Sequence, residues 1–334
     1  MGAAATPYDP PPMRVLVTGG AGFIGSHLAE HLVRRGDRVT VLDDLSTGRE
    51  ENLRLLAPSA EFRFVKGDVR DAAVVAGAME GCEAVYHLAA AVGVRLIVEQ
   101  PVRSIETNIH GTEMVLRAAA ERRLPILIAS SSEVYGKGVR CPFHEDDDLV
   151  LGPTTVMRWS YAAGKAVDEF LALAHHREHG TRVVVTRFFN TVGPRQVGRY
   201  GMVIPRFIEQ ALAGGPLTVY GDGTQTRCFG YVGEVVRACT ALLEAPAAWG
   251  RVFNVGSPHE VSVLALAEKI RALVNPACPV SIIPFEQAYG PGFEDLDRRV
   301  PDVARLVETI GFSPGRTLDD FLPEIVEDVR RRRA

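Results

Sequence analysis

The chain has no apolar run approaching the ~20 residues that a membrane-crossing helix needs; stretches such as Val15 to Val17 and Ile126 to Ile128 suit buried strands instead. Cysteine is scarce. The five residues Cys82, Cys141, Cys228, Cys239 and Cys278 are scattered without C-x-x-C spacing, which speaks against a disulfide framework or a zinc ribbon. No apolar signal segment precedes the first strand, so reduced thiols and a cytoplasmic setting are expected. Nor is there an excess of basic charge. The net charge is -4, from 37 Lys and Arg against 41 Asp and Glu spread along the chain, which leaves no face for nucleic acid and no membrane partner. There is no internal repeat and no low-complexity tract. Met1-Gly2-Ala3-Ala4-Ala5-Thr6 matches an acylation pattern in form, but no basic residues follow to supply a second anchoring signal.

What is present begins at Met13. Residues 13 to 43 read as a buried strand, a glycine turn, a helix and a second strand ending in acid. Gly19, Gly22 and Gly25 allow the tight turn, the approach of a pyrophosphate and the packing of helix on strand, while the helix N-terminus offers N–H groups to the anion. Asp43 closes the second strand at about the distance at which an acid meets an adenosine ribose. An acid there disfavours a 2′-phosphate, so NAD is expected rather than NADP.

Strands are expected at Glu61 to Val65, Glu83 to Leu88, Pro125 to Ala129 and Arg182 to Phe188, with helices at Ser104 to Arg122 and Ser160 to Gly180. This alternation implies an α/β fold with a doubly wound parallel sheet, ligands lying at the strand C-terminal ends. From about Thr191, Gly and Pro punctuate shorter segments, as in a second, smaller lobe. The expected organisation is a disordered leader at 1–12, an NAD-binding domain at 13–190 and a substrate lobe at 191–334, with a segment near 228–256 returning to the first domain. At 334 residues the chain is long enough for both.

Tyr161 and Lys165 stand at i, i+4 and so share one face near a helix start. A phenol is a poor base at neutral pH, and a neighbouring ammonium favours its phenolate. Ser131, at the end of the preceding strand, is placed to donate to the same substrate oxygen. His27 with His31, and His175 with His179, have metal-ligand spacing but lack an H-E-x-x-H pattern, so structural roles and no metal are expected.

Tyr161, Lys165, Ser131 and the upstream glycine turn together resemble the short-chain dehydrogenase/reductase superfamily. The likeness narrows to the extended members that modify nucleotide sugars, through Thr-Gly-Gly-Ala-Gly-Phe-Ile-Gly at 18 to 25, Ser-Glu-Val-Tyr-Gly at 132 to 136, Arg-Phe-Phe-Asn-Thr-Val-Gly-Pro-Arg at 187 to 195 and Leu-Thr-Val-Tyr-Gly-Asp-Gly-Thr-Gln-Thr-Arg at 217 to 227. The resemblance implies cofactor contacts at Gly19, Gly22, Phe23, Ile24, Gly25, Asp43, Asp68, Val69, Leu88, Ala89, Ala90, Asn108, Tyr161 and Lys165. It implies catalysis by Tyr161, Lys165, Ser131, Ser132 and Glu133, and binding of a UDP-sugar by Asn190, Arg195, Val203, Tyr220, Arg227 and Arg299.

By the same resemblance NAD takes hydride from sugar C4 while Tyr161 takes the hydroxyl proton. The 4,6-dehydratases carry Asp-Glu where this chain has Ser132-Glu133, so the acid that protonates a departing C6 hydroxyl is missing. Ser-Glu, together with Arg299 in Arg-Val-Pro-Asp, resembles the UDP-glucuronate decarboxylases. A 4-epimerase of UDP-glucuronate or a UDP-hexose uses the same Ser131, Tyr161 and Lys165 and is the alternative; a dehydratase or a silent NAD-binding protein fits less well. Relatives pair into homodimers through helices at 104–122 and 160–180, and a homodimer is expected here on that ground alone.

Overall fold

The computed structural model describes residues 11–93, 100–198, 202–289 and 298–333. Of the expected leader, residues 1–10 lie outside that set. The first half is built from β1 (Arg14–Thr18), α1 (Phe23–Arg35), β2 (Arg38–Asp43), β3 (Phe62–Lys66), α2 (Ala72–Ala78), β4 (Ala84–His87), α3 (Pro101–Glu121), β5 (Ile126–Ser131), α4 (Trp159–His179) and β6 (Val183–Phe188).

Val15, Leu16 and Val17 of β1 are all buried, because helices cover both faces of the sheet into which the strand is inserted. Its neighbours are parallel: Val15 pairs with Val39 of β2 on one side and with Ala84 of β4 on the other. The order is β11-β6-β5-β4-β1-β2-β3, which reverses direction between β1 and β4 and so opens a crevice there. The expected α/β fold with a parallel doubly wound sheet is the one observed. β3 is an edge strand with mixed exposure, and α2, not anticipated, starts where Asp71 Oδ1 accepts the N–H groups of Ala73 (2.9 Å) and Val74 (3.2 Å). Gly180 ends α4 in the left-handed region at φ 66°, its N–H donating to His176 O at 2.9 Å.

The second half comprises β7 (Thr191–Val192), α5 (Val203–Leu212), β8 (Leu217–Tyr220), β9 (Thr226–Cys228), β10 (Gly230–Tyr231), α6 (Val232–Glu244), β11 (Arg251–Val255), β12 (Glu260–Ser262), α7 (Val263–Val274), β13 (Val280–Ile283), α8 (Phe285–Tyr289), α9 (Ala304–Ile310) and α10 (Leu318–Arg333). Two of these return to the main sheet. β11 pairs in parallel with β6, and α6 packs Val235, Ala238 and Leu242 into the same core as Leu28 and Leu32 of α1. Leu306 of α9 joins that core too, while α5, α7 and α10 surround a separate core of Ile204, Phe207, Ile208, Leu266, Ile270, Phe321 and Ile325, with two-stranded pairings β8 with β13 and β9 with β12 at its edge. All five cysteines are free thiols. Among the described residues no helix is long and apolar enough to cross a membrane, and no group of three or more His, Cys, Asp and Glu is placed to hold a metal.

Candidate active site

The first turn after β1 has the shape a dinucleotide needs. Gly19 sits at φ 70°, and a Cβ there would come within 2.7 Å of Ala89 N; at Gly25 a Cβ would overlap the Gly19 carbonyl oxygen. Only glycine fits either position. No side chain caps the N-terminus of α1 and no acid lies in its first turn, so its N–H groups remain for an anion such as a pyrophosphate. Asp43 stands beside them, buried, with Oδ2 accepting Ala21 N–H at 2.9 Å and Oδ1 accepting Leu45 N–H at 2.8 Å. Burial pushes its carboxyl up from the ordinary value, against those two bonds.

The neighbouring strand ends converge on the same crevice. Asp68 is paired with Arg70, Nη2 to Oδ2 at 2.6 Å, and that hydrogen bond holds its carboxyl below the usual range. Val69 packs against Gly111 of α3. After β4, Ala89 N–H donates to Thr18 Oγ1 at 3.2 Å, and Asn108 pins the next turn by accepting Ala91 N–H at 2.7 Å. Phe23 and Ile24 open α1, and Leu88 and Ala90 follow β4. This cradle of glycines, free N–H groups and an acid fits NAD.

At the end of β5, the Ser131 hydroxyl accepts Glu133 N–H at 3.2 Å and lies beside the Tyr161 phenol of α4. Tyr161 departs from the simple sequence expectation. Burial pushes its phenol above the ordinary value, and the pull of Lys165 does not overcome this. The carboxylates of Glu133 and Asp168 add to that push, and Asp168 is a residue that sequence reasoning missed: its Oδ2 lies 3.1 Å from Lys165 Nζ, so the ammonium is shared. Burial disfavours the Lys165 charge, but the Asp168 carboxylate and the nearby phenol hold its pKa above that of an ordinary lysine. Its spacing, three residues after the lysine, places it on the lysine's side of the helix, but only packing shows that side to be buried.

Glu133, in the turn after β5, accepts a hydrogen bond from Arg299 and lies 3.8 Å from Arg158 Nη2. Burial opposes its charge, but the guanidiniums of Arg299, Arg158 and Arg227 hold its carboxyl below the usual value, so it is ionised at neutral pH. Ser132 is buried beneath it. Arg158, three residues before Tyr161, is a second component that the sequence reading did not place in the site.

The other expected substrate residues are dispersed along the lobe. Asn190 follows β6, and its carbonyl accepts Gly230 N–H at 3.0 Å. Val203 opens α5, and Tyr220 ends β8 with the Arg206 guanidinium 4.1 Å from its ring centre. Arg227 lies on β9 and contributes to the positive field at Glu133. Arg195 is turned elsewhere: its guanidinium is bound to Glu30 and Ser26 of α1, and its N–H donates to Asp328 at 2.8 Å, so it ties the lobe to the first half. The histidine pairs are structural in their contacts. His27 Nε2 meets Pro194 O at 2.9 Å, and the rings of His175 and His179 stack edge to face, 5.3 Å apart.

A parallel sheet with this order, a glycine cradle for NAD, a serine at the end of β5 and a tyrosine and lysine on α4 define an enzyme of the short-chain dehydrogenase/reductase type. The chain belongs to the NAD dependent epimerase/dehydratase family, whose family model matches residues 15–256. It is 41% identical over 315 residues to a UDP-N-acetyl-alpha-D-glucosaminuronate decarboxylase of Bacillus cytotoxicus, covering 94% of this chain and 97% of the relative. It is 36% identical to UDP-glucuronic acid decarboxylase 1 of Arabidopsis thaliana, covering 96% of this chain and 70% of the relative. Among solved structures, the UDP-glucuronic acid 4-epimerase of Bacillus cereus, in complex with UDP-glucuronic acid and NAD, superposes with a TM-score of 0.85 at 28% identity, covering 96% of this chain and all of that one.

Proposed function

We propose that the chain decarboxylates a UDP-linked uronic acid, UDP-glucuronate in the first instance, through transient oxidation at C4. The observation that carries this reading is Glu133, paired with Arg299, 3.8 Å from Arg158 and held ionised by them and by Arg227, in the turn that follows Ser131. NAD, held by the Gly19–Gly25 turn and Asp43, would supply the hydride acceptor for C4 and the donor for its later reduction. Tyr161, deprotonated, takes the C4 hydroxyl proton, while Ser131 donates to the same oxygen and Lys165 supplies the cation that makes a phenolate tolerable. The C4 ketone turns the C6 carboxylate into a β-keto acid. The C5–C6 bond then breaks, carbon dioxide leaves, and the bonding pair passes into an enolate whose negative oxygen faces Ser131 and Tyr161. A proton from solvent adds to C5, C4 is reduced again and Tyr161 gives its proton back to the C4 oxygen, leaving a UDP-pentose. Glu133 acts near C5, and the guanidiniums orient the carboxylate and the diphosphate.

Incubation with UDP-glucuronate, followed by mass spectrometry, tests this. Loss of one carbon dioxide supports it, and an unchanged mass with a new sugar isomer selects the 4-epimerase that the shared Ser131, Tyr161 and Lys165 also allow. The likeness to the N-acetylglucosaminuronate enzyme makes the 2-acetamido uronate the second substrate to assay. The reading extends to a homodimer paired through α3 and α4, where Val167 and Phe170 are exposed, and to a cytoplasmic setting, which the free thiols favour.

A further inference from the structure

One buried acid has no part in the chemistry above. Asp168 lies a turn beyond Lys165 with its side chain wholly buried; Oδ2 meets Lys165 Nζ, while Oδ1 is buried without a hydrogen-bond partner. Thr112 of α3 lies beside Asp168 and works against the rise that burial imposes on its carboxyl. The Thr112 hydroxyl meets His87 Nε2 at 3.2 Å, and His87 Nδ1 meets Thr18 Oγ1 at 2.8 Å. A row of buried polar groups thus runs from the Tyr161–Lys165 couple, beneath the crevice, to the residue preceding Gly19.

We propose that Asp168 is a positioning residue of the reaction, which fixes the Lys165 ammonium in place and by its own charge sets the pH at which the Tyr161–Lys165 couple gives up its first proton. The inference rests on the reading of Tyr161 as the base at C4.

The argument is one of charge in a dry site. Few charges face the couple. On α4 itself stand Asp168 and Glu169, and Glu169 is already taken by Arg187 at 2.7 Å and by the Ser130 hydroxyl at 2.5 Å. From β5 and the turn after it come Ser131 and Glu133, whose carboxylate also pushes the phenol up although it is itself paired with Arg299 and Arg158. From β4 comes His87, uncharged because burial pushes its imidazole down to about 3. Lys165 and Asp168 are therefore the opposite charges left in direct contact. With the phenol protonated, the three groups sum to zero, and loss of a proton creates a net buried anion. Without the Asp168 charge, the same loss takes a buried cation to neutrality, which a low-dielectric site favours. Asp168 accordingly delays ionisation of the couple, while tethering a four-carbon side chain that would otherwise be free to turn.

The test compares wild type with Asp168→Asn, Asp168→Ser and Asp168→Glu. The pH dependence of kcat/KM with UDP-glucuronate is measured, alongside a phenolate difference titration in the ultraviolet with Tyr161→Phe as blank, both with and without NAD. The apparent pKa of the acid limb, which belongs to the couple and not to one residue, should fall by roughly 0.5–1 unit in Asp168→Asn and Asp168→Ser. In Asp168→Glu, which keeps the charge, it should stay near the wild-type value. Folded Asn or Ser variants with an unmoved or raised pKa would overturn the proposal, and so would an equal fall in Asp168→Glu, which would assign the effect to packing. If wild type turned over no UDP-sugar, the functional reading would fail by itself, and the titration would still decide the role of Asp168.

Discussion

Arg299 donates to Glu133 across 166 residues of chain, and Arg158 meets the other carboxylate oxygen at 3.8 Å. The contact joins the turn after β5 to a segment of the second half that lies between β13 and α9, so the site is complete only when the two halves are docked. It also keeps Glu133 ionised, since burial alone would push its carboxyl up.

Removal of that carboxylate should separate the two stages of the reaction. In Glu133→Ala, C4 oxidation should proceed and the later step stall, so that stopped-flow absorbance shows NADH accumulating with UDP-glucuronate while UDP-pentose appears at least about tenfold more slowly. Product at the normal rate would contradict the role given to Glu133.

Tyr161→Phe keeps the ring and loses the proton carrier. Turnover should drop by about two to four orders of magnitude, the range for a general base, while fluorescence titration finds NAD binding within a few-fold of wild type. Near-normal turnover would remove the phenol from the mechanism.

His87 makes the fold sensitive to acid. Burial, aided by Lys165, lowers its pKa from 6.5 to about 3, so between those values the unfolded chain binds a proton that the folded chain refuses. Its contribution is therefore fully present above about pH 6.5 and is lost as pH falls toward 3, at roughly 1.4 kcal/mol per pH unit. Urea unfolding from pH 7 to pH 4 should show a steep loss of stability in wild type and a visibly shallower one in His87→Gln. Parallel slopes would mean that His87 is charged in the folded protein.

Gly25→Ala places a methyl group on the Gly19 carbonyl oxygen in a turn that cannot yield without moving β1 or α1. NAD affinity should fall at least about tenfold, with a stability loss of roughly 1–3 kcal/mol, read by calorimetry. Gly77→Ala, where a Cβ meets nothing within 4 Å, serves as the control.

Much of the first half was legible because its strands are apolar on both faces and its helices are long. Runs such as Val15 to Val17 and Ile126 to Ile128 have one physical explanation, and the glycine turn between β1 and α1 another. The helix expected from Ser104 begins at Pro101, where a proline's fixed φ suits a first helical turn. The lobe gave little signal, since β7 and β10 have two residues each and pair with distant partners, which no local periodicity reveals. Within the site, Tyr161, Lys165, Ser131 and Glu133 were readable as residue types at fixed spacing. Asp168 and Arg158 were not, because an acid or an arginine on a helix reads as a solvated surface charge until packing shows it buried or aimed inward. Arg195 shows the converse: it sits within a readable motif, yet its guanidinium is committed to Glu30.

UDP-glucuronate carrying deuterium at C4 gives the sharpest test of transient C4 oxidation followed by decarboxylation. Turned over in ordinary water, it should yield carbon dioxide and a UDP-pentose that still holds the label at C4, because the hydride leaves and returns within one closed site. Release of the label to solvent, or decarboxylation with no isotope effect and no transient NADH, would contradict the account.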